Sequence, residues 1–192
     1  ASDVYKRQVK KFVMPFIRVA GNMTIALNSG SVNTEAEIEF PNLLEIGGTL
    51  TLENNKNANN ITFPSLKKIL GSCSVTTSHL KNDIEFTNLE SIGTDGADEQ
   101  IKFEIDGTNI LCPKLKTING KFDITTSTVI FDMEADQVSY PNVESISENL
   151  SITCPYSDFG SNGILSIDFS GLKSVKGISI CLLYTSPSPR DA

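Results

Sequence analysis

The sequence has no tryptophan and a single histidine, His79. One histidine cannot assemble the imidazole clusters that hold zinc or relay protons. Cysteine is equally sparse. Four occur in 192 residues, and none stands in the close pairs that mark zinc loops. No apolar run approaches the roughly 20 residues that cross a bilayer as a helix, so no membrane span is expected in this chain. Basic residues are outnumbered: 16 Lys and Arg face 23 Asp and Glu, a formal net charge of −7. A field of that sign repels nucleic acid and anionic membrane, and neither is expected as a partner.

What the chain does have is a repeat. Phe40-Pro41-Asn42-Leu43 with Ile46 returns as Phe63-Pro64-Ser65-Leu66 with Ile69, and again as Phe86-Thr87-Asn88-Leu89 with Ile92. Cys112-Pro113-Lys114-Leu115 with Ile118 follows, then Tyr140-Pro141-Asn142-Val143 with Ile146. Phe169-Ser170-Gly171-Leu172 with Val175 ends the series, and Phe16 with Val19 fits the same frame as a degenerate first copy. From Leu43 to Leu172 the copies step by 23, 23, 26, 28 and 29 residues. The unit is constant and the connections grow.

Each copy carries two strand signals. Pairs such as Ile38/Phe40 and Ile61/Phe63 precede the corner, and pairs such as Leu50/Leu52 and Cys73/Val75 follow it. A spacing of two places both members on one strand face. In the fourth copy the second strand is delayed to Ile101/Phe103/Ile105 by the insert from Thr94 to Gln100. One such unit cannot bury its apolar face alone, whereas stacking on a like neighbour does so. Parallel strands need a crossover of a dozen or more residues, and a repeat this long supplies it by completing a coil. The expected fold is therefore mostly β: a right-handed parallel β solenoid of about seven coils, with Leu43, Ile46, Leu50, Leu52, Phe63 and Leu66 buried. Gly47-Gly48, Gly71, Gly93, Gly120 and Gly177 precede the second strand, where positive φ costs glycine little.

The ends stand apart from the repeat. Ala1 to Gln8, ASDVYKRQ, and Cys181 to Ala192, CLLYTSPSPRDA, resemble translated sequencing-library adapters. That resemblance implies a fragment of a longer gene: residues 1–8 and 181–192 as tails, and 9–180 as one solenoid domain cut at both ends. Residues 1–8 and 184–192 are expected to lack packed structure, with Cys181-Leu182-Leu183 free to extend the last strand.

Asn42-Leu43-Leu44-Glu45-Ile46-Gly47-Gly48-Thr49-Leu50-Thr51-Leu52-Glu53-Asn54 resembles the repeat of the receptor L domain, a leucine-rich-repeat-like right-handed solenoid. Bacterial and fungal surface proteins with similar repeats match it equally well. The resemblance implies architecture and a place at the cell surface.

Candidate chemistry is thin. Cys73, Cys112 and Cys154 fall at inward positions and read as small buried hydrophobes. Asp95, Asp98 and Glu99 share one loop, and Asp132, Glu134 and Asp136 another. Both offer oxygen ligands of the kind calcium takes, but without the EF-hand spacing, and both read first as solvated acidic loops. Asn54, Asn55, Asn57, Asn59 and Asn60 crowd a corner and read as turn residues. Asn22, Asn60 and Asn149 lie in glycosylation sequons. Thr49, Thr51, Ser72, Ser74, Thr76, Thr77, Asp123, Thr125, Ser151 and Thr153 point outward.

The sequence thus points to a non-enzymatic binding or adhesion module, secreted or on the cell surface. Its expected partner is a protein or glycan held on the exposed sheet face or the inserts, and no catalytic residue, cofactor or metal is assigned. The alternatives are a fragment of a polysaccharide-active β-helix enzyme and a structural spacer.

Overall fold

Alternation in Thr49-Leu50-Thr51-Leu52 turns two leucines one way and two threonines the other. The leucines find their cover one repeat away. A computed structural model describes residues 11–26, 36–53, 58–76, 82–105, 109–126, 137–154 and 166–182. Among them every regular element is a strand, and the strands pair in parallel, each with its counterpart in the adjacent copy. The molecule is a parallel β solenoid.

Three ladders run along it. The entry ladder precedes the corner, with Lys11–Val13, Ala36–Glu39, Ala58–Thr62, Ile84–Glu85 and Ile110–Leu111 in one sheet. Gln137–Ser139 and Ser166–Asp168 pair separately as the last two copies of that position. After the corner comes a ladder of two-residue strands: Arg18–Val19, Glu45–Ile46, Lys68–Ile69, Ser91–Ile92 and Thr117–Ile118. The exit ladder holds Met23–Ala26, Leu50–Glu53, Cys73–Thr76, Gln100–Ile105 and Lys121–Thr126. In the last two copies the short and exit strands fuse into Ser145–Cys154 and Ser174–Leu182, with a register shift between Ile146 and Asn149. The first five coils thus have three strands each, where alternation alone gives two, because a two-residue strand holds only one inward residue. Ser174–Leu182 also shows that Cys181 and Leu182 continue the last strand.

Leu43, Ile46, Leu50, Leu52, Phe63 and Leu66 are all fully buried. The buried rows run from Ala36 to Ile152, through five interior turns. The first and last described copies stand at the ends, where Phe16, Ile178 and Ile180 are exposed. Between the ends the core is ordered by its aromatics. Phe40, Phe63 and Phe86 stack face to face at the corner. Cys112 takes the next place in that column, and Phe103, Phe122, Tyr140 and Phe169 pack at steeper angles beyond it.

Polar residues tie the corners of neighbouring coils. Ser65 Oγ donates to the carbonyl of Pro41 at 2.6 Å. Asn88 and Asn142 donate through Nδ2 to the carbonyls of Pro64 and Pro113, at 2.6 and 2.8 Å. Proline leaves its own carbonyl available, and the residue after it in the next coil uses it.

The glycines before the exit strand serve mainly close approach. A Cβ on Gly47 would lie 2.5 Å from the Ala20 carbonyl oxygen, and one on Gly71 would lie 2.7 Å from the Gly48 carbonyl carbon. The expected positive φ is found at Gly93 and Gly120, at 84° and 151°, and these two are crowded as well.

Candidate functional site

The outward face of the exit ladder is a continuous polar surface. Register fixes its rows. Thr24, Thr51, Ser74, Lys102, Asp123, Ser151 and Ser179 align in successive coils. Beside them Thr76, Glu104, Thr125 and Thr153 form a second row. Strand neighbours stand about 4.8 Å apart, so the face presents hydroxyls at near-regular intervals around a charged centre.

That centre is internally paired. Lys102 forms an ion pair with Glu104, and Lys121 lies 2.9 Å from Asp123. Thr76 Oγ1 donates to Glu104 at 2.9 Å. The Lys102 hydrogen bond, against partial desolvation and with help from the Thr76 hydroxyl, holds the Glu104 carboxyl below the usual range. Glu144 is lowered too, by its hydrogen bond from Lys173. Both carboxylates are thus held as anions, the opposite of what a general acid needs.

The insert borders this face. Asp95 and Asp98 are exposed, and Glu99 folds back to accept the Ser72 hydroxyl at 2.5 Å. Ser72 Oγ in turn accepts the Gln100 amide at 3.0 Å, fixing where the delayed strand begins. Glu99 is therefore a structural tie, leaving two acidic side chains in the loop. Among the described residues no group of three or more His, Cys, Asp or Glu converges as metal ligands. Asp132, Glu134, Asp136, His79 and Thr77 lie outside the described residues, as do Asn54, Asn55, Asn57, residues 1–8 and residues 184–192.

Asn59 and Asn60, expected in a turn, lie instead within the strand Ala58–Thr62. Pairing with Glu37 outweighs the turn preference of Asn60, while Asn59 is the extra residue where the register shifts, its carbonyl accepting Asn82 Nδ2 at 2.7 Å. Of the sequon residues, Asn22 and Asn149 are exposed and Asn60 is half-buried. Asn22 Oδ1 also accepts the Thr49 amide at 2.8 Å.

Cys73 and Cys112 are buried, as their positions require; Cys154 is half-buried where the interior turns end. Cys73 and Cys112 are free thiols. Burial pushes the Cys73 thiol up to about 12 and Cys112 well above its ordinary value. Cys73 registers with Ile101, and Ile101 with Phe122, on the coil that carries Cys112. Two steps of about 4.8 Å exceed the separation of about 7 Å that a disulfide tolerates.

A second surface is written in charge. Along the line through the short ladder, backbone hydrogen bonds connect Leu44, Lys67, Glu90, Lys116, Glu144 and Lys173 in successive coils. From Lys67 onward the sign alternates at every step. Lys173 Nζ reaches Glu144 at 2.6 Å. Lys67 and Lys116 likewise have a glutamate at the matching position one coil away, a relation that sequence proximity conceals.

No helix among the described residues is long and apolar enough to cross a membrane. Neither family models, nor curated proteins, nor solved structures give a match to this chain. The class to which it belongs is the parallel β solenoids, on the strength of its own geometry.

Proposed function

We propose that the chain is a non-enzymatic binding or adhesion module that works outside the cell, and that it recognises a glycan or a protein on the outward face of its exit ladder. The observation that carries this reading is the registered row Thr24, Thr51, Ser74, Lys102, Asp123, Ser151, Ser179. A rigid parallel sheet holds these groups at fixed spacing, so a ligand would order few protein side chains on binding. Short hydroxyl side chains leave the face shallow enough for a flat partner to reach its side-chain polar groups. The resemblance of its repeat to the receptor L domain and to surface-protein repeats agrees with this reading.

Arrays of glycans and extracellular proteins, probed with the intact chain, test it. A specific binder that is lost with Lys102→Ala and Asp123→Ala would support the reading. Turnover of a polysaccharide would favour the β-helix enzyme, and silence on every array would leave the spacer.

A further inference from the structure

We propose that the partner of the exit-ladder face is a second copy of this chain, turned end over end so that the two faces meet about a two-fold axis. This inference rests on the reading of that face as the binding surface. In four interior coils the main row reads Ser74, Lys102, Asp123, Ser151: hydroxyl, cation, anion, hydroxyl. The row beside it reads Thr76, Glu104, Thr125, Thr153. Consider an axis parallel to the strands, midway between the coil of Lys102 and that of Asp123. It sets Lys102 opposite Asp123 of the second copy, and Asp123 opposite its Lys102. Ser74 meets Ser151, Thr76 meets Thr153, and Glu104 meets Thr125. Gln100 meets Lys121 beside the centre, and one coil further out Thr51 meets Ser179. No like charges meet among these pairs. Such self-complementarity is what a two-fold contact requires, because the same patch serves both copies.

The axis falls between two interior coils, so the match owes nothing to the ends of the stack. Facing sheets stand about 10 Å apart. A lysine and an aspartate extended toward each other bridge that gap. Facing Ser and Thr leave room for water, which links hydroxyls at modest cost. Lys102 and Asp123 are accessible, with side chains 52% and 30% exposed. Each also has a partner on its own strand, Glu104 for Lys102 and Lys121 for Asp123. Contact between two copies thus joins four ion pairs into one network of alternating sign. Strands of four residues such as Leu50–Glu53 and Cys73–Thr76 make the face narrow, short of the roughly 800 Å² per partner of a standard interface. A single pair of copies therefore associates weakly, and many copies displayed together hold firmly. That behaviour suits adhesion between like surfaces.

Sedimentation equilibrium of the full chain, at concentrations up to about 1 mM where weak pairs assemble, tests this. The expected result is a monomer–dimer equilibrium that stops at the dimer, since a two-fold contact closes on itself. Lys102→Asp and Asp123→Lys should each weaken the dimer at least tenfold, because each puts like charges together twice. An equal mixture of the two variants should dimerise within a few-fold of wild type, since both unlike contacts are rebuilt between the chains. Each swap also sets like charges side by side within its own chain. Mixing cannot relieve that, so recovery on mixing isolates the contact between chains. A wild-type chain that stays monomeric, or one that grows past the dimer, overturns the proposal. So does a dimer that both swaps leave intact, or a mixture that stays monomeric. A monomeric wild type whose binding on arrays is lost with Lys102→Ala would sink this inference and keep the face as a binding surface. Circular dichroism verifies that the coils persist. Should a variant unfold, the wild-type concentration series alone decides.

Discussion

The ring of Phe63 lies flat over that of Phe40, with centroids 5.1 Å apart and planes within 5° of parallel. Phe86 continues the stack at 5.2 Å. Phe63 is thus held on both sides by rings from neighbouring coils. Phe63→Ala should cost about 3–5 kcal/mol, the range for deleting a buried aromatic. Phe63→Leu should cost less, since it keeps more of the volume. Urea unfolding of the two variants beside wild type checks the order; equal losses would mean that the ring stack, and not the bulk that leucine restores, carries the stabilisation.

Glycine substitutions separate close approach from backbone strain. Gly93 has a positive φ, and an added Cβ would lie 2.1 Å from the Asn119 carbonyl oxygen. Gly96 has a positive φ with nothing within 4 Å, and Gly21 has neither constraint. Gly96→Ala should cost about 1 kcal/mol and Gly93→Ala clearly more. Gly21→Ala should be neutral or stabilising by up to about 1 kcal/mol. Thermal melts of the three variants give the ranking.

Tyr140 places a buried hydroxyl among Phe103, Phe122 and Phe169. That oxygen has no hydrogen-bond partner among the described residues. Tyr140→Phe removes the desolvated group and keeps the ring, so stability should hold or rise by about 1 kcal/mol. A loss of more than that in denaturant titration would reveal a partner for the hydroxyl.

The thiols should react in order of burial. Cys181 is exposed, Cys154 half-buried, and Cys73 and Cys112 buried with raised pKa values. The thiolate is the nucleophile. Maleimide labelling near neutral pH, read by mass spectrometry, should modify Cys181 first and Cys154 more slowly. Cys73 and Cys112 should label only after denaturant is added.

Glu104 gives a pH prediction. Its folded pKa is lowered, chiefly by Lys102. The associated stability is therefore present above the unfolded carboxylate value of about 4.3 and is lost as pH falls through the lower folded value. Lys102→Gln should move the Glu104 titration upward, and Thr76→Val should do so by less. Carboxyl chemical shifts followed by NMR from about pH 6 downward, through and below the usual carboxylate range, record both. An unmoved titration in Lys102→Gln would remove the ion pair from the account.

The core was legible in the sequence because it is constrained twice. Leu50 and Leu52 obey the period of a strand and recur with the period of a coil, and both rules select the same side. The short ladder was hidden because Glu45–Ile46 and Lys68–Ile69 hold one inward residue each, too few for a visible alternation. Gly47 and Gly71 were visible as glycines, but their reason lies in the preceding coil, at a distance that no local window contains. Asn60 shows the converse, a local turn preference overruled by ladder pairing with Glu37. The face proposed for binding was legible only as a set of outward hydroxyls. Its central ion pairs depend on which coil registers with which, and inserts of changing length obscure that. No ligand was legible because outward residues answer to solvent and partner, while the repeat constrains only what faces in.

The alternating line Lys67, Glu90, Lys116, Glu144, Lys173 gives the stack a parity. Excising the coil that carries Glu90 would bring Lys67 against Lys116, whereas excising that coil and the next would set Lys67 against Glu144. An odd change in coil number brings like charges together, and an even one preserves attraction. The charges thus penalise the single-coil slips and duplications to which repeated sequences are prone, while the apolar rows, alike from coil to coil, tolerate them.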